Sequence, residues 1–192
     1  MPPAADQLDG HLILEEAISQ LGIDLLALVA LASVFASPDV FQQLRSENGL
    51  GVWYPNVRRY KRGERKGDMV GNVRLDDNTY GNYAIDGAVG RATPGLEASH
   101  VWPLTTYDER YHTCIANIVL LPASIAGLSD KHPGVIAALK YRSFELFDWY
   151  PVDIAGVSQQ KPERPDCYPA VWRKPEPMTP AIAEAIRRRK PR

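Results

Sequence analysis

His100 and Asn117 are the residues of this chain whose types and surroundings suggest chemistry. His100 lies in a short apolar run that stops at Pro103, and Asn117 follows 17 residues later, directly before the strongly apolar residues 118–122. The unperturbed pKa of an imidazole lies near physiological pH, so a histidine can take the proton from an attacking water molecule. A single histidine beside a tryptophan is more often an ordinary core or surface residue, so the neighbouring pattern decides its role.

The segments around these two residues predict the order strand, loop, strand, helix. Residues 97–103 and 115–122 each contain a short apolar run of strand length, and the small residues 123–128 that follow favour a helix. In this order, residues 96–130 resemble the ββα-metal site of the HNH endonuclease family. The resemblance covers under a fifth of the chain.

The resemblance implies a role for each of the two polar residues. In HNH endonucleases the histidine that ends the first strand is the general base, so His100 takes that role here. The asparagine orients this base by fixing the loop whose backbone carbonyl holds the imidazole, and Asn117 stands at that position. Phosphodiester hydrolysis also needs a metal ion to offset charge on the scissile phosphate.

This chain departs from the family pattern at the positions of the metal ligands. The family places ligands just before the base and nine and thirteen residues after the asparagine. This chain has Ser99, Ala126 and Asp130 at those positions. Asp130 is therefore the first candidate ligand, and Glu97, three residues before His100, is the second. An oxygen-rich ligand set suits Mg²⁺ or Mn²⁺ better than Zn²⁺.

Three points about the ligands stay open at this stage. Glu97 and Ser99 share one face of the predicted strand whereas His100 points to the other, so Glu97 reaches the metal only if the strand bends. His132 is an additional candidate ligand, although it can instead cap the helix that follows it. His112 lies in the loop between the strands, where it can contact phosphate or metal or be an ordinary loop residue.

A basic segment at residues 58–66 predicts contact with nucleic acid. Cationic side chains release counterions from a phosphate backbone, and an aromatic ring among them can stack on a base. A solvated loop is the alternative. The predicted contacts are Arg58, Arg59, Tyr60, Lys61, Arg62, Arg65 and Lys66. Because they precede His100 by more than 30 residues, we expect them to supply affinity outside the catalytic site. The basic residues 187–192 are a competing source of the same affinity.

Composition is that of an ordinary globular protein, with 45% hydrophobic and 23% charged residues among 192. The formal net charge is −1, but the charged residues are unevenly distributed along the chain: residues 1–50 hold seven acidic residues and one basic residue, Arg45. Two cysteines without a CxxC pair exclude a four-cysteine zinc site. With no signal peptide evident, and with the longest apolar run at residues 23–36, we expect a cytoplasmic protein without a membrane partner.

Periodicity and capping signals predict an α+β protein with an N-terminal helical unit and a proline-rich C-terminal arm, and the family resemblance implies a ββα-metal core within it. The predicted helices cover about residues 12–21, 23–36, 38–47, 79–89, 133–149 and 181–189. The predicted domains are an acidic helical unit at 1–50, an HNH-like nuclease domain at 51–150, and at 151–192 a proline-rich arm with a basic helix.

These features predict a divalent-metal-dependent HNH-type endonuclease that hydrolyses phosphodiester bonds in DNA, with RNA as a further substrate. The family resemblance suggests a role in bacterial or phage restriction or defence. A non-cleaving nucleic-acid-binding module with a decayed metal site is the alternative, which Ser99 and Ala126 favour. A third hypothesis is a nuclease subunit of a larger complex, in which the N-terminal helices form a homodimer or bind a partner protein.

Overall fold

Seven α-helices lie within the part of the chain that the computed structural model describes, which is residues 10–58, 63–71, 73–77 and 79–189. They are α1 (Gly10–Gln20), α2 (Leu25–Ala32), α3 (Pro38–Asn48), α4 (Thr79–Val89), α5 (Leu128–Lys131), α6 (Pro133–Phe147) and α7 (Pro180–Arg188).

The strands of the same residues form three small sheets. They are β1 (Asn56–Arg58), β2 (Met69–Val70), β3 (Val73–Asp76), β4 (Leu96–His100), β5 (Ile118–Pro122), β6 (Asp153–Ile154) and β7 (Val157–Ser158). In the first sheet β3 lies between β1, which is parallel to it, and β2, which is antiparallel. The β4–β5 and β6–β7 pairs are antiparallel. This mixture of helices and small sheets confirms the α+β class.

Several helix limits follow from caps that the sequence predicts. Ser37 accepts a hydrogen bond from the Asp39 N–H at the start of α3, and Gly49 ends that helix in the left-handed conformation with φ 74°. Gly90, with φ 74°, follows the last residue of α4 in the same conformation. These residues confirm the predicted ends of α3 and α4 because a glycine adopts a positive φ without steric cost.

Two helix predictions are wrong, each for a local reason. The apolar residues 23–36 do not form one helix. Instead α2 ends at Ala32, after which Val34 exchanges backbone hydrogen bonds with Leu120 of β5. Residues 123–127 form turns, and the helix after β5 is only the four residues of α5, which begins at Leu128. His132, which precedes Pro133, has an extended backbone with φ −89° and ψ 113°, so α5 does not continue into α6.

Strand β5 is the centre of the core, because Ile118, Val119, Leu120 and Leu121 are all buried. Alternate residues face opposite sides, as strand geometry requires. Val119 and Leu121 belong to a cluster with Phe35, Phe41 and Phe147, whereas Ile118 and Leu120 belong to a second cluster with Leu44, Ile85 and Ile182. Burial on both faces fixes β5, and β4 is fixed through its pairing with β5.

The proline-rich residues 151–179 run as an extended arm over the helices, with only the short β6–β7 hairpin as regular structure. Trp172 packs its ring edge against Phe35 at a centroid distance of 6.4 Å. The Arg173 and Glu176 N–H groups donate to carbonyls of residues 30 and 35. The arm is therefore attached by both side-chain packing and main-chain hydrogen bonds.

The predicted domain limits at residues 50 and 150 stay predictions. Phe35 and Phe41, from the predicted N-terminal unit, pack in the same cluster as Val119 of β5. Helices α1 and α2 and the connection between them leave large apolar side chains exposed, namely Leu12, Ile13, Leu21, Ile23, Leu28 and Leu31. The sequence predicts self-association or a partner for this part of the chain. Among the described residues, no helix has the length and apolar character needed to cross a membrane.

Candidate active site

His100 is the last residue of β4, and the β4–β5 register places it opposite Ile118, so that Asn117 lies just before the paired strand. Its side chain is 7% exposed, and Nε2 lies 2.8 Å from the backbone carbonyl oxygen of His112. A carbonyl oxygen can only accept, so Nε2 carries the proton and donates it. Nδ1 is then unprotonated and keeps the lone pair that a general base needs.

Asn117 fixes the loop that presents this carbonyl. Its fully buried side chain accepts from the Trp102 N–H at 3.1 Å through Oδ1. Its Nδ2 donates to Thr105 Oγ1 at 2.8 Å and to the Tyr111 carbonyl at 3.0 Å. One amide thus ties both ends of the loop between the strands. Because Tyr111 precedes His112, the same bonds position the carbonyl that holds His100.

The environment of His100 keeps its imidazole neutral at physiological pH. Burial lowers the pKa of His100 to about 4, and charges on His112 and Arg58 act in the same direction. The hydrogen bond to the His112 carbonyl and the Asp76 carboxylate oppose this shift and raise the pKa. A neutral imidazole is the form that can accept a proton.

A pocket of about 410 Å³ opens beside His100. Three kinds of side chain meet there: the imidazole of His100, the carboxylates of Glu97 and Asp130, and the guanidinium of Arg58. Ser99, Tyr107 and Ala126 also line it. Glu97 and His100 both line this pocket, although positions 97 and 100 point to opposite faces of β4. That the strand must bend for Glu97 to reach a metal stays a prediction.

The pocket offers oxygen ligands but no preformed cage for a metal. Among the described residues, no group of three or more His, Cys, Asp or Glu side chains is arranged to hold an ion. Glu97 and Asp130 are both exposed at the pocket wall. Mg²⁺ is usually held by one or two carboxylates together with substrate phosphates and waters, so this donor set fits Mg²⁺ or Mn²⁺ and does not fit a four-ligand zinc site.

His132 lies outside this pocket and has a structural contact instead. Its Nδ1 accepts a hydrogen bond from the Val135 N–H at 3.1 Å and so caps the N-terminus of α6. Of the three candidate ligands from the sequence, the structure therefore brings Glu97 and Asp130 to His100 and leaves His132 at the helix cap.

The basic segment lies partly outside the described residues, which exclude Arg59, Tyr60, Lys61 and Arg62. Arg65 and Lys66 are exposed, and the Lys66 Nζ lies 3.1 Å from Asp77. The expectation that the whole segment lies outside the catalytic site is wrong for Arg58. This residue ends β1 and lines the His100 pocket. This placement comes from the parallel pairing of β1 with β3, which no local pattern predicts.

Asp76 and His112 are buried neighbours of the site, and for His112 the sequence left open contact to phosphate or metal or an ordinary loop position. His112 Nε2 lies 3.1 Å from Asp76 Oδ2, and both side chains have no exposed surface. The ring of His112 stacks on that of His100 with centroids 5.3 Å apart and planes 11° from parallel. The 36 residues between Asp76 and His112 explain why the sequence alone does not pair them.

No protein-family model, curated protein or solved structure matches the chain. Its function is therefore inferred from its own residues and their geometry.

Proposed function

We propose that this protein is a divalent-metal-dependent endonuclease of the HNH type that hydrolyses phosphodiester bonds in DNA. The observation that carries the proposal is the held imidazole of His100. Its Nε2 is bound by a carbonyl in a loop that Asn117 ties down, and its pocket contains two carboxylates and an arginine. A neutral base, anionic metal ligands and a cation for phosphate are the three groups that the reaction needs.

Each group has one task in the proposed reaction. His100 takes the proton from the attacking water at Nδ1, and the bond from Nε2 to the His112 carbonyl keeps the ring in place while it does so. Arg58 faces the phosphate as a charge-assisted donor. Glu97 and Asp130 would hold Mg²⁺ or Mn²⁺, which as a Lewis acid offsets the charge that develops on the phosphate and the leaving oxygen.

The metal requirement is tested with two ligand variants and one control. We expect Asp130→Ala and Glu97→Gln each to raise the Mg²⁺ or Mn²⁺ concentration needed for half-maximal cleavage by about tenfold or more, because each removes one of two anionic ligands. His132→Ala serves as the control, since it removes the α6 cap and is expected to cost about 1 kcal/mol of stability without changing the metal requirement. If Asp130→Ala needs the same metal concentration as the wild type and His132→Ala needs more, then His132 and not Asp130 is the metal ligand.

Arg58 is expected to act at the reacting phosphate and not only on affinity. A charge-assisted hydrogen bond at an exposed arginine is worth about 1.4 kcal/mol, so Arg58→Ala should lower kcat by about tenfold. Arg65→Ala is the matched control outside the pocket, expected to flatten the dependence of log affinity on log salt by about 0.9 while leaving kcat unchanged. Equal kcat values for the wild type and Arg58→Ala would show that Arg58 contributes to DNA affinity alone.

The basic C-terminus is a weaker candidate for phosphate contact in the proposed complex. Arg187 and Arg188 form ion pairs with Glu184, and Arg189 pairs with Glu47 across to α3. Their charges are already partly balanced within the protein, whereas Arg58 borders the pocket.

A non-cleaving nucleic-acid-binding module is the second candidate function. Ser99 and Ala126 favour it, because they occupy positions where metal ligands are expected, and so does the lack of a three-ligand cluster among the described residues. Binding of DNA without metal-dependent cleavage in the wild type would select this alternative. The remaining hypothesis of a subunit of a larger complex, joined through α1 and α2, is tested by light scattering after size exclusion.

A further inference from the structure

Asp76, His112 and His100 form one continuous buried chain of polar groups. Asp76 Oδ2 contacts His112 Nε2 at 3.1 Å, and neither side chain has any exposed surface. His112 contacts His100 twice, through its carbonyl oxygen at 2.8 Å from Nε2 and through the stacked ring at a centroid distance of 5.3 Å. Neither Asp76 nor His112 lines the pocket, so neither is placed to touch a substrate.

The hydrogen bonds of this chain fix where its protons lie. Asp76 Oδ2 also accepts from the Tyr80 N–H at 2.7 Å, at the first turn of α4. His112 Nδ1 is buried and has no hydrogen-bond partner among the described residues, so a proton there would be unpaired. The proton of His112 therefore sits on Nε2 and is donated to Asp76. Asp76 Oδ2 therefore accepts two hydrogen bonds, one from the His112 Nε2–H and one from the Tyr80 N–H.

The Asp76 carboxylate places a negative charge inside the protein at the edge of the His112 ring. Such a charge is expensive to bury unless it is compensated. Protonation of His100 brings a cation close to it, because the His100 ring stacks on the face of His112. The charge of Asp76 accordingly raises the pKa of His100, whereas burial lowers it.

We propose that Asp76 and His112 are positioning residues for His100. In this arrangement His112 holds the base by its carbonyl and its stacked ring. Asp76 anchors that ring and supplies the buried counter-charge for the imidazolium that forms when His100 accepts a proton. The catalytic part of this inference rests on the proposed nuclease function, whereas the positioning of the His100 ring does not.

Other charged groups near His100 act from the pocket side. Arg58 from β1 lines the same pocket and lowers the pKa of His100, and Glu97 from β4 and Asp130 from α5 line it as well. These three side chains are retained when Asp76 is substituted, and the contribution of Arg58, which is the strand partner of Asp76, is assessed separately with Arg58→Ala. A change in His100 on substitution of Asp76 is therefore attributable to the buried chain.

The test compares the wild type with Asp76→Asn and Asp76→Ala, and uses Asp77→Asn as the control. Asparagine keeps an oxygen that can accept from His112 and from Tyr80 but removes the charge, whereas alanine removes both. Asp77 is an exposed neighbour that pairs with Lys66 and does not contact either histidine. We expect kcat to fall by about tenfold in Asp76→Asn and by about 100-fold in Asp76→Ala, so neither loss exceeds the 10²–10⁴-fold that a general base contributes. The KM should stay unchanged in both, and kcat should stay unchanged in Asp77→Asn.

Nitrogen NMR of the histidine rings at neutral pH, without metal or DNA, gives a readout that needs no activity. In the wild type we expect His112 and His100 each to carry a proton on Nε2, and in Asp76→Ala we expect His100 to lose its single tautomer. Wild-type His112 without a proton on Nε2 would overturn the proposal even if the Asp76 variants did not fold. An unchanged kcat in Asp76→Asn and Asp76→Ala would overturn its catalytic part. A wild type that does not cleave DNA but shows the expected tautomers would instead count against the nuclease function.

Discussion

The His100→Ala variant is expected to lose DNA cleavage while retaining DNA binding. A general base contributes about 10²–10⁴-fold to the rate, and the imidazole with its free Nδ1 is the group placed to take the proton of the attacking water. DNA affinity depends mainly on the cationic side chains, which the substitution leaves in place. The measurement is the single-turnover cleavage rate at saturating DNA, with affinity measured separately in chelator.

His132→Ala is the control for this result, because it removes another histidine without touching the pocket. Circular dichroism establishes that both variants are folded. Wild-type turnover by folded His100→Ala would show that another group is the base, and loss of DNA binding together with cleavage would show that His100 acts through affinity.

The Asn117→Ala variant is expected to suffer the largest loss of stability. The substitution leaves the Trp102 N–H and the Tyr111 carbonyl without their buried partner, and it removes a bond to Thr105. Each unsatisfied buried group costs about 1–3 kcal/mol, so the free energy of unfolding should fall by about 3–5 kcal/mol. Many domains of this size have only about 5–15 kcal/mol in total. Urea denaturation measures the change.

Asn82→Ala is the matched control, since Asn82 is exposed and accepts one long bond, 3.3 Å, from the Ala98 N–H of β4. It should cost less than about 1 kcal/mol. In the fraction that remains folded, Asn117→Ala should also cleave at least tenfold more slowly, because the loop that carries the His112 carbonyl is released. Wild-type stability and a wild-type cleavage rate in Asn117→Ala would show that the loop keeps its conformation without the Asn117 side chain.

The parts of the fold that depend on neighbouring residues can be predicted from the sequence. Ser37 and Gly49 mark the two ends of α3, and the apolar runs beside His100 and Asn117 mark β4 and β5. Sequence also singles out the polar pair itself, since both members lie at strand ends within one short segment.

The features that depend on distant residues cannot be predicted in this way. The pairing of Val34 with Leu120 ends α2 early, although residues 23–36 look uniformly helical. The parallel pairing of β1 with β3 brings Arg58 to the pocket and Asp76 to His112, and neither residue has a local signal for this role. The position of α5 is likewise set by the turns after Pro122 and not by the helical propensity of the small residues.

Metal-dependent cleavage by the wild-type protein is the most direct test of the central claim. Supercoiled plasmid is incubated with the protein in Mg²⁺, in Mn²⁺, in chelator, and in chelator followed by excess metal, beside a His100→Ala preparation purified in the same way. We expect nicked or linear DNA only where free metal and the wild-type protein are both present, and recovery when metal is restored. Cleavage that persists in chelator, or equal cleavage by the two preparations, would contradict the account.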